Sequence, residues 1–216
     1  MRFIFLALLS LLYHVFGYLE TTPVDYFPTF AIKFLQWPAK DASLLMSVHF
    51  GTHFAGRFLG IPLSCVLRPR TMIIINLIVT MIAYVILLPV KSLPELLWAS
   101  AALAGIGMAT TMATTLLWMS ESIAISGRVA AIVIANYSFG SIVEPQIVGR
   151  LFDVPEVGGP MSMVYLLVTA ALVHIAIFIC MLVFVARCLT GHQSSELRGI
   201  EIDVSAPAST RPVVEQ

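Results

Sequence analysis

Six times along this chain the polar residues thin out for about the length of a bilayer crossing. The apolar runs cover about residues 3–34, 42–67, 72–90, 93–118, 129–151 and 161–186. Roughly 20 consecutive apolar residues cross a hydrocarbon core as a helix, so each run predicts a transmembrane helix. The predicted fold is all-α: a polytopic membrane protein of six transmembrane helices over residues 1–187. From 188 to 216 Ser, Pro and charged residues replace the apolar period, which predicts a disordered tail.

The first run is two-part. Phe3 to Phe16 is almost wholly apolar, whereas Gly17 to Phe34 carries Glu20, Thr21, Thr22, Pro23 and Asp25. Arg2 followed by an apolar core also describes a signal peptide, but Tyr13-His14-Val15-Phe16-Gly17 follows in place of a small-x-small cleavage site. The segment therefore reads as a genuine first span, interrupted by polar residues.

Composition sharpens this picture. Hydrophobic residues make up 59% of the chain and charged residues 11%, less than half the share a soluble domain carries, and mean hydropathy is +0.94. A formal net charge of zero leaves no global field to recruit nucleic acid. Cys65, Cys180 and Cys188 have neither disulfide nor zinc spacing, and no phosphate loop, nucleophile elbow or HExxH helix is present. No enzyme chemistry and no resident cofactor are expected. Basic residues are weighted to one set of loops. Arg2, Arg68, Arg70, Arg128, Arg187, Arg198 and Arg211 fall on one side. Lys33, Lys40, Lys91 and Arg150 fall on the other, diluted by Asp41, Glu95, Asp153 and Glu156. This bias places both termini in the cytoplasm.

Ionisable groups inside spans cost a few kcal/mol unless they meet a partner or a cavity, so they are the candidate site residues. Glu20 lies at i, i+4, i+7 with Tyr13 and Gly17 on the first span. It is either a solute or cation contact, or a carboxylate bonded to a neighbouring helix or lying in an outer vestibule. His49, His53 and Arg57 recur every fourth residue on the second span. The two histidines either line a polar cavity or bond between helices; no third ligand accompanies them, so no metal site is expected. Arg57 points towards a cytoplasmic gate and an acid on another helix. Asn136 and Gln146 on the fifth span are neutral and suit a hydroxyl-rich solute, and Glu144 on the same span is a candidate solute or cation contact. Thr110, Thr111, Thr114 and Thr115 either line the cavity or bond back to their own helix. Gly56 with Gly60, and Gly105 with Ala109 and Ala113, form small-residue steps for close helix packing. Trp118, near a helix end, reads as an interfacial anchor, and His174 as structural.

Two motifs carry a resemblance. Gly56-Arg57-Phe58-Leu59-Gly60 through Arg68-Pro69-Arg70 resembles the helix–loop signature of the major facilitator superfamily. Gly60 matches its glycine, Arg68 and Arg70 its basic pair, and Ser64 stands where that family has an aspartate. Glu121 followed by Ser126-Gly127-Arg128 is similar to the inner-gate turn of facilitator sugar carriers, in which an acid and an arginine pair. Phe27 to Lys33, Gly105 to Ala109 and Gly140 to Gly149 add similarity to sodium-dependent glucose transporter-like carriers. Ser141 stands where those carriers place an acid, and Glu144 supplies one three residues on.

The resemblance covers residues 10 to 190, as the C-terminal half of a 12-helix carrier. It implies alternating-access transport of a small polar solute, a glucose-like sugar, with sodium as a coupling ion. It also implies a lipid bilayer, that of the plasma membrane, and either a missing N-terminal half or a second copy as partner. The gate would comprise Arg57, Arg68, Arg70, Glu121 and Arg128. A six-helix scaffold or regulator and a channel are the alternatives.

Overall fold

The computed structural model describes residues 2–121, 126–152, 154 and 159–205, the side chains of 2, 144 and 188–205 excepted. Among these residues all regular structure is helical: α1 (Arg2–Lys33), α2 (Ala39–Val66), α3 (Pro69–Val85), α4 (Leu96–Ala109), α5 (Thr111–Ser120), α6 (Gly127–Phe152) and α7 (Met161–Ser205). Two units divide the chain, Met1–Phe178 and Ile179–Gln216. The bundle described below belongs to the first. The second is helical through Ser205, beyond the point where composition predicts a disordered tail. A helix already begun extends by one hydrogen bond per residue without a new nucleation cost.

Among the described residues four helical segments are long and apolar enough to cross a membrane: Phe3–Lys33, Leu96–Ser120, Gly127–Phe152 and Met161–Arg187. The other two rods differ from the six-span expectation for separate reasons. Helix α2 is long enough, at 28 residues, but includes Lys40, Asp41, His49, His53 and Arg57. Helix α3 has 17 residues, a length of about 25 Å against a core of about 30 Å. Its apolar run continues to Val90, yet the α-helix stops at Val85. Pro89 is the cause, because it supplies no N–H and disfavours the α conformation at the residue before it. The chain turns there through i→i+3 bonds, Leu87 N–H to Tyr84 O, Leu88 N–H to Val85 O and Val90 N–H to Leu87 O.

Helix α1 is continuous through both Pro23 and Pro28. It packs against α6, α2 and α4. Helix α4 lies between α2 and α3, and α5 packs on α3. The first part of α7 joins α1 and α6 around an apolar hollow of about 270 Å³ lined by Val15, Tyr18, Val148 and Leu166 among others. Exposed Ile74, Ile78, Ile82 and Val85 on α3 face outward, as lipid-facing residues do.

Glycines set the closest approaches. A Cβ on Gly17 would strike the Tyr137 carbonyl oxygen, and one on Gly140 the His14 carbonyl oxygen, so α1 and α6 meet backbone to backbone. Gly105 admits the backbone of His49 and His53 from α2, while Gly107 admits Asn76 and Thr80 from α3. The two glycines of one Gly-x-Gly thus open opposite faces of α4. Gly56 meets Ala109, and Gly60 meets Thr110. In lipid such contacts are stabilised by dispersion between atoms and not by water release. Gly140→Ala is therefore expected to cost about 1–3 kcal/mol through overpacking. Gly51→Ala, which meets nothing within 4 Å, should be neutral. Thermal unfolding in detergent checks this, and equal melting temperatures for the two variants would contradict it.

Candidate functional site

The site begins with a proline. Pro23 has no N–H to give the Leu19 carbonyl, which a helix would otherwise satisfy from position i+4. Inside a membrane that orphan acceptor would cost several kcal/mol. The Tyr84 hydroxyl of α3 fills the role, donating to Leu19 O at 2.7 Å. Two further tyrosines act between helices in the same manner. Tyr13 donates to Met112 O on α5 at 3.1 Å, and Tyr26 to Pro145 O on α6 at 2.7 Å.

Glu20 is the residue after that satisfied carbonyl. It is half-buried, and its Oε2 accepts the Tyr137 hydroxyl of α6 at 2.8 Å. Arg57 of α2 acts electrostatically on Glu20, on Tyr137 and on His53. Glu20, Tyr137, Arg57 and His53 therefore form one polar cluster contributed by α1, α6 and α2. His49 is buried, 6.4 Å from the His53 ring between centroids. Its Nδ1 lies 3.0 Å from the Ala101 carbonyl of α4. A carbonyl only accepts, so this contact places the proton on Nδ1. His49 is thus an inter-helix bond, and His53, half-buried, bonds to the Gly105 backbone of α4 within the field of Arg57. Among the described residues no group of three His, Cys, Asp or Glu side chains could hold a metal.

Arg57 also opens onto a second feature, a cavity of about 550 Å³ between α2 and α5. Gly60, Ser64, Met72, Thr110 and Thr114 are among the residues that line it with Arg57. Thr110 marks the interruption between α4 and α5, with φ −115° and ψ −2°. Its hydroxyl accepts Asn76 Nδ2 from α3 at 2.9 Å. Thr111 and Thr114 bond back to Gly107 O and Thr110 O, at 2.7 and 2.8 Å.

The remaining candidates are dispersed. Asn136 is half-buried and gives its Nδ2 to Ile132 O of its own helix at 2.8 Å. Gln146 is exposed. The Glu144 side chain lies outside the described residues, as do residues 153, 156 and 211 and the side chains of Arg2, Cys188 and Arg198. Arg68, Arg70, Glu121 and Arg128 are all exposed, Glu121 and Arg128 on either side of the undescribed residues 122–125. Trp118 is no interfacial anchor. It is fully buried, with Phe178 edge-on at 5.3 Å between ring centroids and the Arg70 guanidinium 5.9 Å from its ring centroid. His174 is buried against Phe16 at 6.2 Å.

Periodicity did not single out Tyr84 and Tyr137. Their signal was a tyrosine in mid-span, away from the interfaces where this residue concentrates.

No protein-family model matches the chain. It is similar to sodium-dependent glucose transporter 1 of Danio rerio, 31% identical over 123 residues, which are 57% of this chain and 21% of that protein. The Homo sapiens sodium-dependent glucose transporter 1 is 30% identical over 146 residues, 68% of this chain and 28% of that protein. Major facilitator superfamily domain-containing protein 4A of Mus musculus is 26% identical over 114 residues, 53% and 22% of the two chains. The chain thus spans less than a third of the length of these curated relatives. It is related to major facilitator carriers of this group, and it is an integral multi-pass membrane protein.

Tyr84→Phe should cost about 1–3 kcal/mol, the penalty of a buried acceptor left without its donor. In a Pro23→Ala background, residue 23 regains an N–H for Leu19 and the same change should cost less than half as much. A double-mutant cycle in detergent unfolding measures the coupling. Equal costs in both backgrounds would refute the link between Tyr84 and the proline.

Proposed function

We propose that the chain is a six-helix half of a carrier that moves a small hydroxylated solute, a glucose-like sugar, across the membrane by alternating access. One observation carries this reading. Ionisable residues of two helices, Glu20 of α1 with His53 and Arg57 of α2, interact around Arg57 and with Tyr137 of a third helix, α6. A scaffold would need the packing glycines but not an inward polar cluster.

In this reading all six rods span the bilayer. The α2 rod is admitted by polar residues that face the path and not the lipid, and α3 is helped by the turns that follow it. The termini are cytoplasmic and the membrane is the plasma membrane. A second six-helix bundle, an N-terminal half or another copy of this chain, supplies the opposite wall, and the two rock about a midplane site. Sodium, the ion in the relatives' names, acts at Glu20. Only a cation that binds one state more tightly than the other can drive the cycle, so the Glu20–Tyr137 bond must change between states. Arg68, Arg70, Glu121 and Arg128 close the cytoplasmic gate, while Asn136, Glu144 and Gln146 face the solute when the bundle opens.

The test is uptake of labelled glucose into vesicles, with and without sodium, for this chain alone and co-expressed with an N-terminal six-helix bundle. The pair should transport and the lone chain transport poorly or not at all. Glu20→Gln should lower uptake by about ten-fold or more, the loss of one charge-assisted contact. Full-rate uptake by the lone chain would overturn the half-carrier reading, and undiminished uptake by Glu20→Gln would remove Glu20 from the site.

A further inference from the structure

The wall of the cavity between α2 and α5 is charged at one place, Arg57. At about 550 Å³ it falls within the range of small-molecule pockets, about 300–1,000 Å³. Of the described residues that line it, Arg57 alone is charged, and no carboxylate is among them. The acid that Arg57 acts on is Glu20, which is not part of this wall and whose Oε2 already accepts the Tyr137 hydroxyl on the α1–α6 side. The cavity therefore presents a guanidinium to whatever enters it.

An exposed arginine well inside a helix of 28 residues is costly in a membrane unless something pairs with it. A guanidinium holds five N–H donors in a planar fork that matches the two oxygens of a carboxylate. The other polar groups of the wall suit hydroxyls. Thr110 Oγ1 accepts from Asn76 and so keeps its own proton to donate. Ser64 Oγ donates to Ile61 O at 2.7 Å and presents its remaining lone pair. One charged fork with a hydroxyl donor and a hydroxyl acceptor nearby is a recognition set for an anion that also bears hydroxyl groups.

We propose that this cavity binds a hydroxylated organic anion, a sugar acid, with its carboxylate on Arg57 and its hydroxyls towards Thr110 and Ser64. The inference rests on the solute-site reading above and narrows its substrate class from neutral sugars to sugar acids.

Equilibrium binding to the full chain in lipid nanodiscs separates the two, with labelled D-gluconate and D-glucose as probes. Gluconate should bind about ten-fold or more tightly than glucose, the worth of one charge-assisted bidentate contact. Arg57→Gln should bring that preference to about one, and Arg57→Lys, which keeps the charge but loses the fork, should leave an intermediate preference. Melting temperatures of the variants establish that they fold; should Arg57→Gln not fold, the wild-type ratio and Arg57→Lys still decide. Glucose binding with no preference for gluconate would overturn the anion assignment and leave the solute site standing. Binding of gluconate unaffected by Arg57→Gln would move the anion elsewhere and overturn it equally. Binding of neither probe would overturn the solute site and this inference together.

Discussion

A carbonyl that has lost its helical donor cannot turn to water inside a membrane, and the structure is arranged around that constraint. Pro23 creates such an acceptor at Leu19, and Tyr84 answers it from α3 at 2.7 Å. This bond satisfies the acceptor that Pro23 leaves, in a helix that runs unbroken past it. It also fixes α3 against the turn that holds Glu20. The hydroxyls of Tyr13 and Tyr26 tie the same helix to α5 and α6. Helix α1 is thereby the hub of the bundle, joined by directional bonds where lipid offers no hydrophobic driving force between helices.

Close packing supplies the rest of the positioning. Gly17 and Gly140 bring the α1 and α6 backbones together, which is what places Tyr137 within hydrogen-bond reach of Glu20. Gly105 and Gly107 let α4 accept α2 on one face and α3 on the other. His49 is consequently committed to Ala101, and His53, one turn on, bonds to the Gly105 backbone while lying within the field of Arg57. Arg57 stands where the two arrangements meet, in the Glu20 cluster and in the wall of the α2–α5 cavity. A side chain with that double position is suited to respond when either neighbour changes charge or gains a ligand.

Much of this was legible in the chain. Long apolar runs located the helices, because lipid imposes a length that leaves little choice. The small-residue steps at Gly56, Gly60 and Gly105 predicted close approach where it occurs. Glu20 and Arg57 stood out because charge in a span is expensive. What escaped depends on the partner helix, which periodicity does not report. Trp118 near a helix end resembled an anchor, yet Phe178 and Arg70 enclose it. The interruption at Thr110 falls in a run of small residues and threonines with no proline to announce it. The end of α3 was readable from Pro89, but apolar character alone carried the expected span past it.

The central claim is that the polar cluster and the α2–α5 cavity form a path open to water inside a bundle otherwise in lipid. Cysteine accessibility measures this most directly. With Cys65, Cys180 and Cys188 replaced by serine, one cysteine is introduced at Ala113, an exposed residue of the cavity wall, or at Ile78, an exposed residue on the outer face of α3. Each variant is treated in lipid vesicles with a water-soluble, membrane-impermeant maleimide applied from both sides. The account predicts rapid labelling of Ala113→Cys, slowed by added solute, and no labelling of Ile78→Cys. Ala113→Cys as inert as Ile78→Cys would mean that lipid or protein, and not water, fills the cavity, and would contradict the account.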